Sequence, residues 1–298
     1  MNRFTIKDVE NLSGIKAHTW RIWEQRYKLA LPQRKESKHR FYDTENLKQV
    51  LRISYLYHQQ MKVSKIAKLE PEEMKRLALT PLLKDQENEY YAKELLEASL
   101  DFDEERFERN ISIALHTFGL EDTILKVIYP YQERIGMLWL TDHVVPAQEH
   151  FTSNLIRQKL LVAIDNLPAV ALGNEQQIAL FTPEDEQHEI PLLFIYYLLK
   201  KKGCKVIYFG KHVSLEALQS YKGSKPLTHA LFHLVTNLTN KNADEYVRQV
   251  ADIFKDVKVI MSGTQVLAVT QTPDNFRLLH SMQEIISLTD EFGERATK

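Results

Sequence analysis

The sequence predicts a multidomain protein of mixed α and α/β class: a winged helix-turn-helix, then a four-helix bundle, then a doubly wound parallel sheet. Three observations support this prediction. The first 70 residues are basic and carry short helical patterns, residues 90–167 place apolar side chains three and four apart, and from Gln177 short apolar runs alternate with helical patterns. We therefore expect domains at 1–75, 90–170 and 175–298, with a connector at 76–89.

Composition narrows the class of protein. A chain of 298 residues can form two or three domains, each with its own core. The single cysteine, Cys204, excludes an intrachain disulfide framework and cysteine-based zinc sites, and we expect it to be structural. The sequence shows no secretory signal and no apolar stretch near the roughly 20 residues of a membrane span, so we expect a cytoplasmic protein. GxGxxG and P-loop motifs are missing, which disfavours the usual nucleotide-dependent enzymes.

Charge divides the chain unevenly. Residues 1–70 hold 15 Lys/Arg and 7 Asp/Glu, whereas the rest of the chain holds 24 and 33, so a net charge of −1 conceals a basic end (+8) and an acidic body (−9). A basic module on an acidic body is typical of a protein that binds nucleic acid.

The N-terminal elements follow from caps and breaks. Thr5 begins a short helix that ends at Ser13-Gly14, and a second helix covers roughly 17–27 after a tight turn. Leu31-Pro32 ends that helix, and the basic segment 33–42 is typical of a two-stranded wing. Asp43-Thr44 begins a third helix with apolar positions at the 3.6-residue period. A short helix near 63–69 leads into a charged connector that runs to about residue 88.

Several of these segments resemble the N-terminal domain of the MerR family of transcription regulators over about residues 3–70. They are Ser13-Gly14-Ile15, Thr19-Trp20-Arg21-Ile22-Trp23-Glu24, Leu31-Pro32 and Arg40-Phe41-Tyr42. The resemblance implies a recognition helix in the major groove of double-stranded DNA and a wing on the flanking backbone. The expected DNA-binding residues are Thr19, Arg21, Arg26, Arg34, Lys35, Lys38, His39, Arg40 and Tyr42. We expect Trp20, Ile22 and Trp23 to pack in the core.

The resemblance also implies oligomerisation, because such regulators read two half-sites through a two-fold dimer. We expect a homo-oligomer, a dimer or a tetramer. Lys38 departs from the family, whose wing often carries glycine at this place.

The remaining chain contains four helical and five strand-like segments. Breaks at Asp101, Leu120-Glu121-Asp122 and Thr141-Asp142 divide residues 90–167 into four helices, which favours a bundle. Alternation of strands with helices favours a parallel, doubly wound sheet. The predicted strands are 178–181, 206–209, 230–235, 257–261 and 276–279.

His188 is the most informative candidate for a binding site. It follows the first predicted strand, 178–181, and therefore lies at the carboxyl edge of the sheet, where such folds bind ligands. A neutral imidazole there can coordinate a metal, and a neighbouring carboxylate such as Glu186 can fix its tautomer. A surface-loop histidine with no ligand is the alternative that this pattern leaves open.

Two further motifs resemble cobalamin-binding regulators related to the light-responsive cobalamin-dependent repressors. Gly136-Met137-Leu138-Trp139 with Glu149-His150 resembles their helical bundle, and Glu186-Gln187-His188 resembles the Glu/Asp-x-His-x-x-Gly motif. The resemblance implies cobalamin held between bundle and α/β domain, with Trp139 over the upper face and His188 as the lower cobalt ligand. The expected cofactor-binding residues are Trp139, Glu149, His150, Glu186, His188, His233, Ser262 and Gly263.

Four positions depart from that pattern. Pro191 replaces the glycine of the motif, and its rigid ring crowds the loop that admits the nucleotide tail of the cofactor. His233 stands where a small serine usually lies beside that tail. Ser262-Gly263 replaces a glycine pair. Leu140 follows the tryptophan where light-responsive members carry a histidine, so we expect no light switch of the upper-histidine type.

These observations predict a cytoplasmic DNA-binding transcription regulator controlled by a ligand, with cobalamin as the cofactor. One alternative keeps the fold without cobalamin and acts as a dimerising or partner-docking regulator. A third interpretation, a cobalamin-dependent methyltransferase or mutase component, is disfavoured by the basic N-terminus and the absence of a substrate barrel. The acid pairs Glu104-Glu105 and Asp185-Glu186 come with no nucleophile or oxyanion donor, so we expect no enzyme activity.

Overall fold

A computed structural model describes residues 4–34, 40–58, 61–78, 87–140, 146–168, 176–221, 226–236 and 242–294. They form two compact units, Met1–Leu155 and Ile156–Lys298. None of the described helices is both long and apolar enough to span a membrane.

The first unit begins with a small helical module. Its elements are α1 (Ile6–Ser13), α2 (Ala17–Tyr27), β1 (Gln33–Arg34), β2 (Arg40–Phe41), α3 (Thr44–His58), α4 (Val63–Ile66) and α5 (Pro71–Ala78). The Trp20 and Trp23 rings meet edge to face at 5.2 Å, and Trp20 Nε1 donates to Ser13 Oγ at 2.8 Å, which closes α2 onto α1. The prediction for Ile22 is wrong, because its side chain is 52% exposed on the outer face of α2.

Helix α5 was not predicted; it crosses the domain boundary expected at residue 75 and ends inside the connector expected at 76–89. Pro71 lies in its first turn, where a missing N–H costs nothing, and Met74 packs into the core. The helix contacts α3. Its charged sequence concealed it, because few apolar residues mark the buried face.

The bundle uses the four predicted helices, α6 (Glu87–Asp101), α7 (Glu104–Thr123), α8 (Tyr129–Leu140) and α9 (Pro146–Asp165). The break expected at residues 120–122 is a kink at Gly119, with φ 77° and ψ 171°, followed by a π-helical turn, Ile124–Ile128, that leads into α8. Phe107 and Tyr131 meet edge to face at 5.6 Å in the core of the bundle.

Charged side chains join the helical module to the bundle. Glu97 on α6 is fully buried and accepts hydrogen bonds from Arg52 Nη2 of α3 at 2.8 Å and from Arg106 Nη2 of α7 at 3.0 Å. Burial alone would raise the pKa of Glu97, but Lys93 and the two arginines lower it. Lys48 of α3 adds an ion pair with Asp101 at the end of α6.

The second unit contains a five-stranded, all-parallel sheet with the strand order β4-β3-β5-β6-β7. The strands are β3 (Gln177–Pro183), β4 (Lys205–Val213), β5 (His229–His233), β6 (Lys258–Ser262) and β7 (Phe276–Leu279). Each predicted apolar run overlaps one of them. Strand β4 extends four residues past its predicted end, through Gly210 and His212, both at positive φ.

Helices cover both faces of the sheet, so the predicted doubly wound architecture is confirmed. They are α10 (Glu189–Lys201), α11 (Leu215–Tyr221), α12 (Ala243–Ile253) and α13 (Met282–Glu294). One core contains side chains of α11 and α12, and the other contains side chains of α10 and α13. The C-terminal half of α9 belongs to this unit, and Lys200 Nζ of α10 donates to its Ile164 carbonyl at 3.1 Å.

Gly263 ends β6 at a point where two backbones touch. Its φ is 102°, and a Cβ atom there would lie 2.2 Å from the carbonyl oxygen of Leu234. A 3₁₀ turn, Thr264–Ala268, starts directly after it. Only glycine combines this φ with this approach.

We expect Glu97→Ala to lower the free energy of unfolding by about 3 kcal/mol, since it removes the buried carboxylate that pairs with Arg52 and one of the two that pair with Arg106. Glu89→Ala is the matched control because it removes an exposed pair with Arg134, which contributes less than about 1 kcal/mol. Urea unfolding of both variants measures the difference. Equal small losses would show that the buried network is not a stabilising contact.

We expect Gly263→Ala to destabilise the protein by at least about 2 kcal/mol, through backbone strain and the clash with Leu234. Gly136→Ala is the control, because Gly136 is helical and a Cβ atom added to it would meet no neighbour within 4 Å. That substitution should stabilise α8 by about 0.5–1 kcal/mol. Thermal unfolding followed by circular dichroism tests both, and a neutral Gly263→Ala would refute the steric argument.

Candidate DNA-binding surface and cofactor site

Helix α2 presents two of the expected DNA-binding arginines to solvent. Arg21 and Arg26 are exposed, and the Arg26 guanidinium lies over the Tyr27 ring at 5.3 Å. Thr19 is partly buried at the start of the same helix. Glu10 of α1 accepts from the Ala17 backbone N–H and from Lys16 Nζ, so it supplies the N-terminal cap that α2 lacks in its own sequence.

The wing is only partly described. Arg34 and Arg40 are register partners in the β1–β2 pair, which makes the hairpin antiparallel as expected. Their side chains, together with Lys35, Lys38 and His39, lie outside the described residues.

Tyr42 is a correction. Its side chain is fully buried, and its hydroxyl donates to the buried carboxylate of Glu24 on α2. Phe4 pairs with Tyr42 through two backbone hydrogen bonds. The strand alternation turns Tyr42 inward, so this residue connects wing and α2 and does not contact DNA through its side chain.

Three lysines were missed by the sequence analysis. Lys62, Lys65 and Lys68 are all exposed around α4. Their regular three-residue spacing in the sequence was a signal that could have identified them. They add positive charge to the same module as Arg21 and Arg26.

The cofactor site is organised around a buried carboxylate. Glu186 follows β3, is fully buried, and accepts from the backbone N–H of His188 at 2.8 Å and from its ring Nδ1 at 2.6 Å. Since a carboxylate is an acceptor only, Nδ1 carries the proton and the neutral imidazole has its lone pair on Nε2. The side chain of His188 is 51% exposed at the carboxyl edge of the sheet. Metal-ligating histidines commonly donate their second ring N–H to a carboxylate in this way.

Glu186 also holds the loop that follows β5. Its second oxygen accepts from Val235 N at 2.6 Å, Thr236 N at 2.9 Å and Thr236 Oγ1 at 3.2 Å. Burial alone would raise the pKa of Glu186, but the hydrogen bonds from His188, Thr236 and Val235 lower it to about 2. The carboxylate is therefore charged throughout the neutral range. Thr236 was not among the expected site residues.

His233 and Ser262 end β5 and β6 side by side. Ser262 Oγ donates to the Phe232 carbonyl at 3.4 Å, so its oxygen accepts from His233 Nδ1 at 2.9 Å. Both side chains are buried. Burial lowers the pKa of His233 to about 4, with Glu186 opposing the shift and His188 adding to it, so the ring is neutral near pH 7. Glu186 accepts from Val235 N and Thr236 N, two and three residues after His233, so His233 lies close to the Glu186–His188 pair.

A second carboxylate lies one residue beyond His188. Glu189 accepts from Arg157 Nε of α9 at 2.8 Å and from Tyr208 OH of β4 at 3.1 Å. Burial and the Glu189 charge both raise the pKa of Tyr208. The first turn of α10, which begins immediately after His188, is thereby tied to two neighbouring elements.

The structure describes two of the three side chains that were expected to contact the cofactor from the helical unit. Trp139 lies on α8, with its side chain outside the described residues. Glu149 and His150 lie near the start of α9, where Glu149 Oε2 and His150 Nδ1 are 2.9 Å apart and Glu149 accepts from Ser153. His150 is exposed.

Two family models match the chain. Residues 4–73 match the MerR HTH family of regulatory proteins, and residues 91–163 match the B12 binding domain. Among curated proteins, the chain is 24% identical over 221 residues to the HTH-type transcriptional repressor CarH of Myxococcus xanthus, covering 72% of this chain and 73% of the relative. It is 27% identical to the HTH-type transcriptional repressor CarA of the same organism, covering 72% of this chain and 70% of the relative.

A solved structure shows the same fold. The monomethylamine corrinoid protein of Methanosarcina barkeri superposes with a TM-score of 0.52 at 15% identity, covering 68% of this chain and 99% of that chain. The predicted architecture is thus confirmed for both halves of the molecule. The chain carries a MerR-type helix-turn-helix domain followed by a B12 binding domain and is a homologue of the two repressors, which is the composition of a ligand-controlled transcription regulator.

Proposed function

We propose that this protein is a sequence-specific DNA-binding regulator controlled by cobalamin, with His188 as the lower ligand of cobalt. The observation that carries the proposal is the buried Glu186 carboxylate, which fixes the tautomer of a half-exposed histidine at the ligand-binding edge of the sheet. A MerR-type domain on the same chain directs any ligand response to DNA.

The DNA half of the proposal assigns two kinds of contact. Arg21 and Arg26, exposed on the recognition helix, would read base edges, with Thr19 beside them. Phosphate contacts would come from the wing and from the lysine row around α4. The proposed phosphate-binding residues are Arg34, Lys35, Lys38, His39, Arg40, Lys62, Lys65 and Lys68.

The residues of the second unit fit a cobalt macrocycle on the metal side. When bound, cobalamin would supply a cobalt centre that takes one protein nitrogen as its lower ligand. His188 would ligate cobalt through Nε2, Glu186 accepts the Nδ1 proton and so fixes the tautomer and orients the ring, and Glu189 holds the adjoining turn of α10. Trp139, Glu149 and His150 are the proposed cofactor contacts from the helical unit, supported by the match of that unit to the B12 binding domain.

Regulation would follow from linkage. A ligand that binds one oligomeric arrangement of the protein more tightly shifts the population towards that arrangement. When the free ligand is at about 100 times its dissociation constant, binding contributes about 2.7 kcal/mol. A dimer or tetramer presents two recognition helices to two half-sites. Such a regulator would act in the cytoplasm, on chromosomal DNA.

The alternative enzyme class is disfavoured by the site itself. The acids Glu186 and Glu189 are engaged with backbone N–H groups, Arg157 and Tyr208, and the described residues around them include no activated nucleophile. We therefore propose a role without catalysis. A regulator that keeps the fold and binds no cobalamin is the second candidate, favoured by the departures at Pro191 and His233.

The two arginine classes predict different losses of DNA affinity. On an operator selected from a random-sequence library, Arg21→Ala should cost about 1–3 kcal/mol and relax the preference at one base pair. Arg40→Ala should weaken specific and random DNA alike and reduce the salt slope by about one unit. Fluorescence anisotropy across a salt series measures both. If Arg21→Ala weakens specific and random DNA equally, Arg21 contacts phosphate and the assignment is wrong.

The His188 assignment predicts loss of cobalamin binding in His188→Ala with an unchanged circular dichroism spectrum. Glu186→Gln should retain binding at about 10–100-fold lower affinity, since the ligand remains but its orienting carboxylate is lost. His280→Ala, an exposed histidine directly after β7, is the control and should bind like the wild type. Absorbance titration with hydroxocobalamin after gel filtration measures uptake. Wild-type protein that takes up no cobalamin would refute the cofactor proposal and leave the fold unaffected.

A further inference from the structure

We propose that the second unit binds a corrinoid through its macrocycle and cobalt alone, with the nucleotide tail left outside the protein, because His233 and Ser262 occupy the interior next to His188. This inference rests on the proposed function and adds the class of ligand: corrinoids with and without a nucleotide tail, bound about equally well.

A corrinoid held from below by His188 can place its tail in two ways. The tail either enters the protein beside the histidine or remains in solvent. The first way requires an opening between the ends of β3, β5 and β6, where small side chains leave room for an aromatic base.

Buried side chains fill that position in this chain. Glu186 and Ser262 are fully buried, and His233 is 5% exposed. The His233 ring is hydrogen-bonded to Ser262, which in turn bonds the Phe232 carbonyl, so a polar chain runs across the ends of β5 and β6. Insertion of a base would have to expel a buried imidazole and break this chain, which is costly in the interior.

The loop above His233 is held shut from both sides. The Val235 and Thr236 N–H groups donate to Glu186 at 2.6 and 2.9 Å. The Val235 carbonyl accepts from Thr264 Oγ1 at 2.7 Å and Gln265 Nε2 at 3.2 Å. Opening this loop for a tail would therefore break the contacts of the same carboxylate that orients His188.

Gly263 adds a further constraint. Its backbone lies so close to the Leu234 carbonyl that no side chain fits between them, and Leu234 itself is buried. The glycine here serves a contact between two strand ends and does not leave space for a ligand. The cobalt-binding half of the site fits a corrinoid, and the tail-binding half is filled by protein.

The test compares cobalamin with cobinamide, a corrinoid that lacks the nucleotide tail. Dissociation constants of hydroxocobalamin and diaquacobinamide are measured by isothermal titration calorimetry on the full-length wild type and on the double variant His233→Ser/Ser262→Gly. The control is His229→Ser, which removes the other buried histidine of β5 at the opposite end of the strand. Circular dichroism and a melting curve establish that each variant is folded.

We expect the wild type and His229→Ser to bind the two corrinoids within about threefold of each other, and the double variant to prefer cobalamin by about tenfold or more, because the tail then gains a place. A wild type that prefers cobalamin by about tenfold or more would overturn the inference and keep the proposed function. A double variant that folds and shows no added preference would also overturn it. Failure of the wild type to bind either corrinoid would overturn the proposed function, and the inference with it.

Discussion

The hydrogen bonds of one buried carboxylate organise the carboxyl edge of the sheet. Glu186 accepts from His188 with one oxygen and from the loop after β5 with the other, so the orientation of the imidazole and the position of the loop are set by the same group. Burying a carboxylate is costly unless its oxygens are saturated, and here five donors surround it. The hydrogen bonds that satisfy this charge therefore hold the ends of β3 and β5 together, and the geometry around His188 depends on these bonds.

A different kind of charged contact organises the first unit. Glu97 is fully buried between Arg52 and Arg106, whose side chains remain partly exposed. If α3 leaves α6, the arginine can regain water, whereas an apolar contact of the same size would have to expose hydrocarbon. The junction between the DNA-binding module and the bundle is thus specific in geometry, because the buried carboxylate requires its arginine partners.

Local patterns explain why so much of the fold could be predicted, and distant contacts explain what was missed. The five apolar runs of the sheet follow from periodicity and turn residues, which act locally. Glu186 was predicted from its motif, but its bonds to Thr236, 50 residues away, have no local signal.

Tyr42 was assigned to DNA because it ends a basic wing, yet strand alternation turns it towards Glu24. Ile22 was expected in the core, and its place on α2 exposes it, because the partner element decides which face is buried.

The two halves of the ligand site obey opposite constraints, and this affects regulation. On the cobalt side the chain retains a carboxylate–histidine pair that can ligate a metal from below. In the interior, His233 and Ser262 bond each other, and under the proposal above they replace contacts to the nucleotide tail. A ligand that makes fewer contacts is bound less tightly at equal cobalt ligation, so a higher concentration is needed for the same shift in population. In the proposed regulator, filling the interior would therefore raise the ligand concentration at which it responds, while the proposed metal-binding residue stays unchanged.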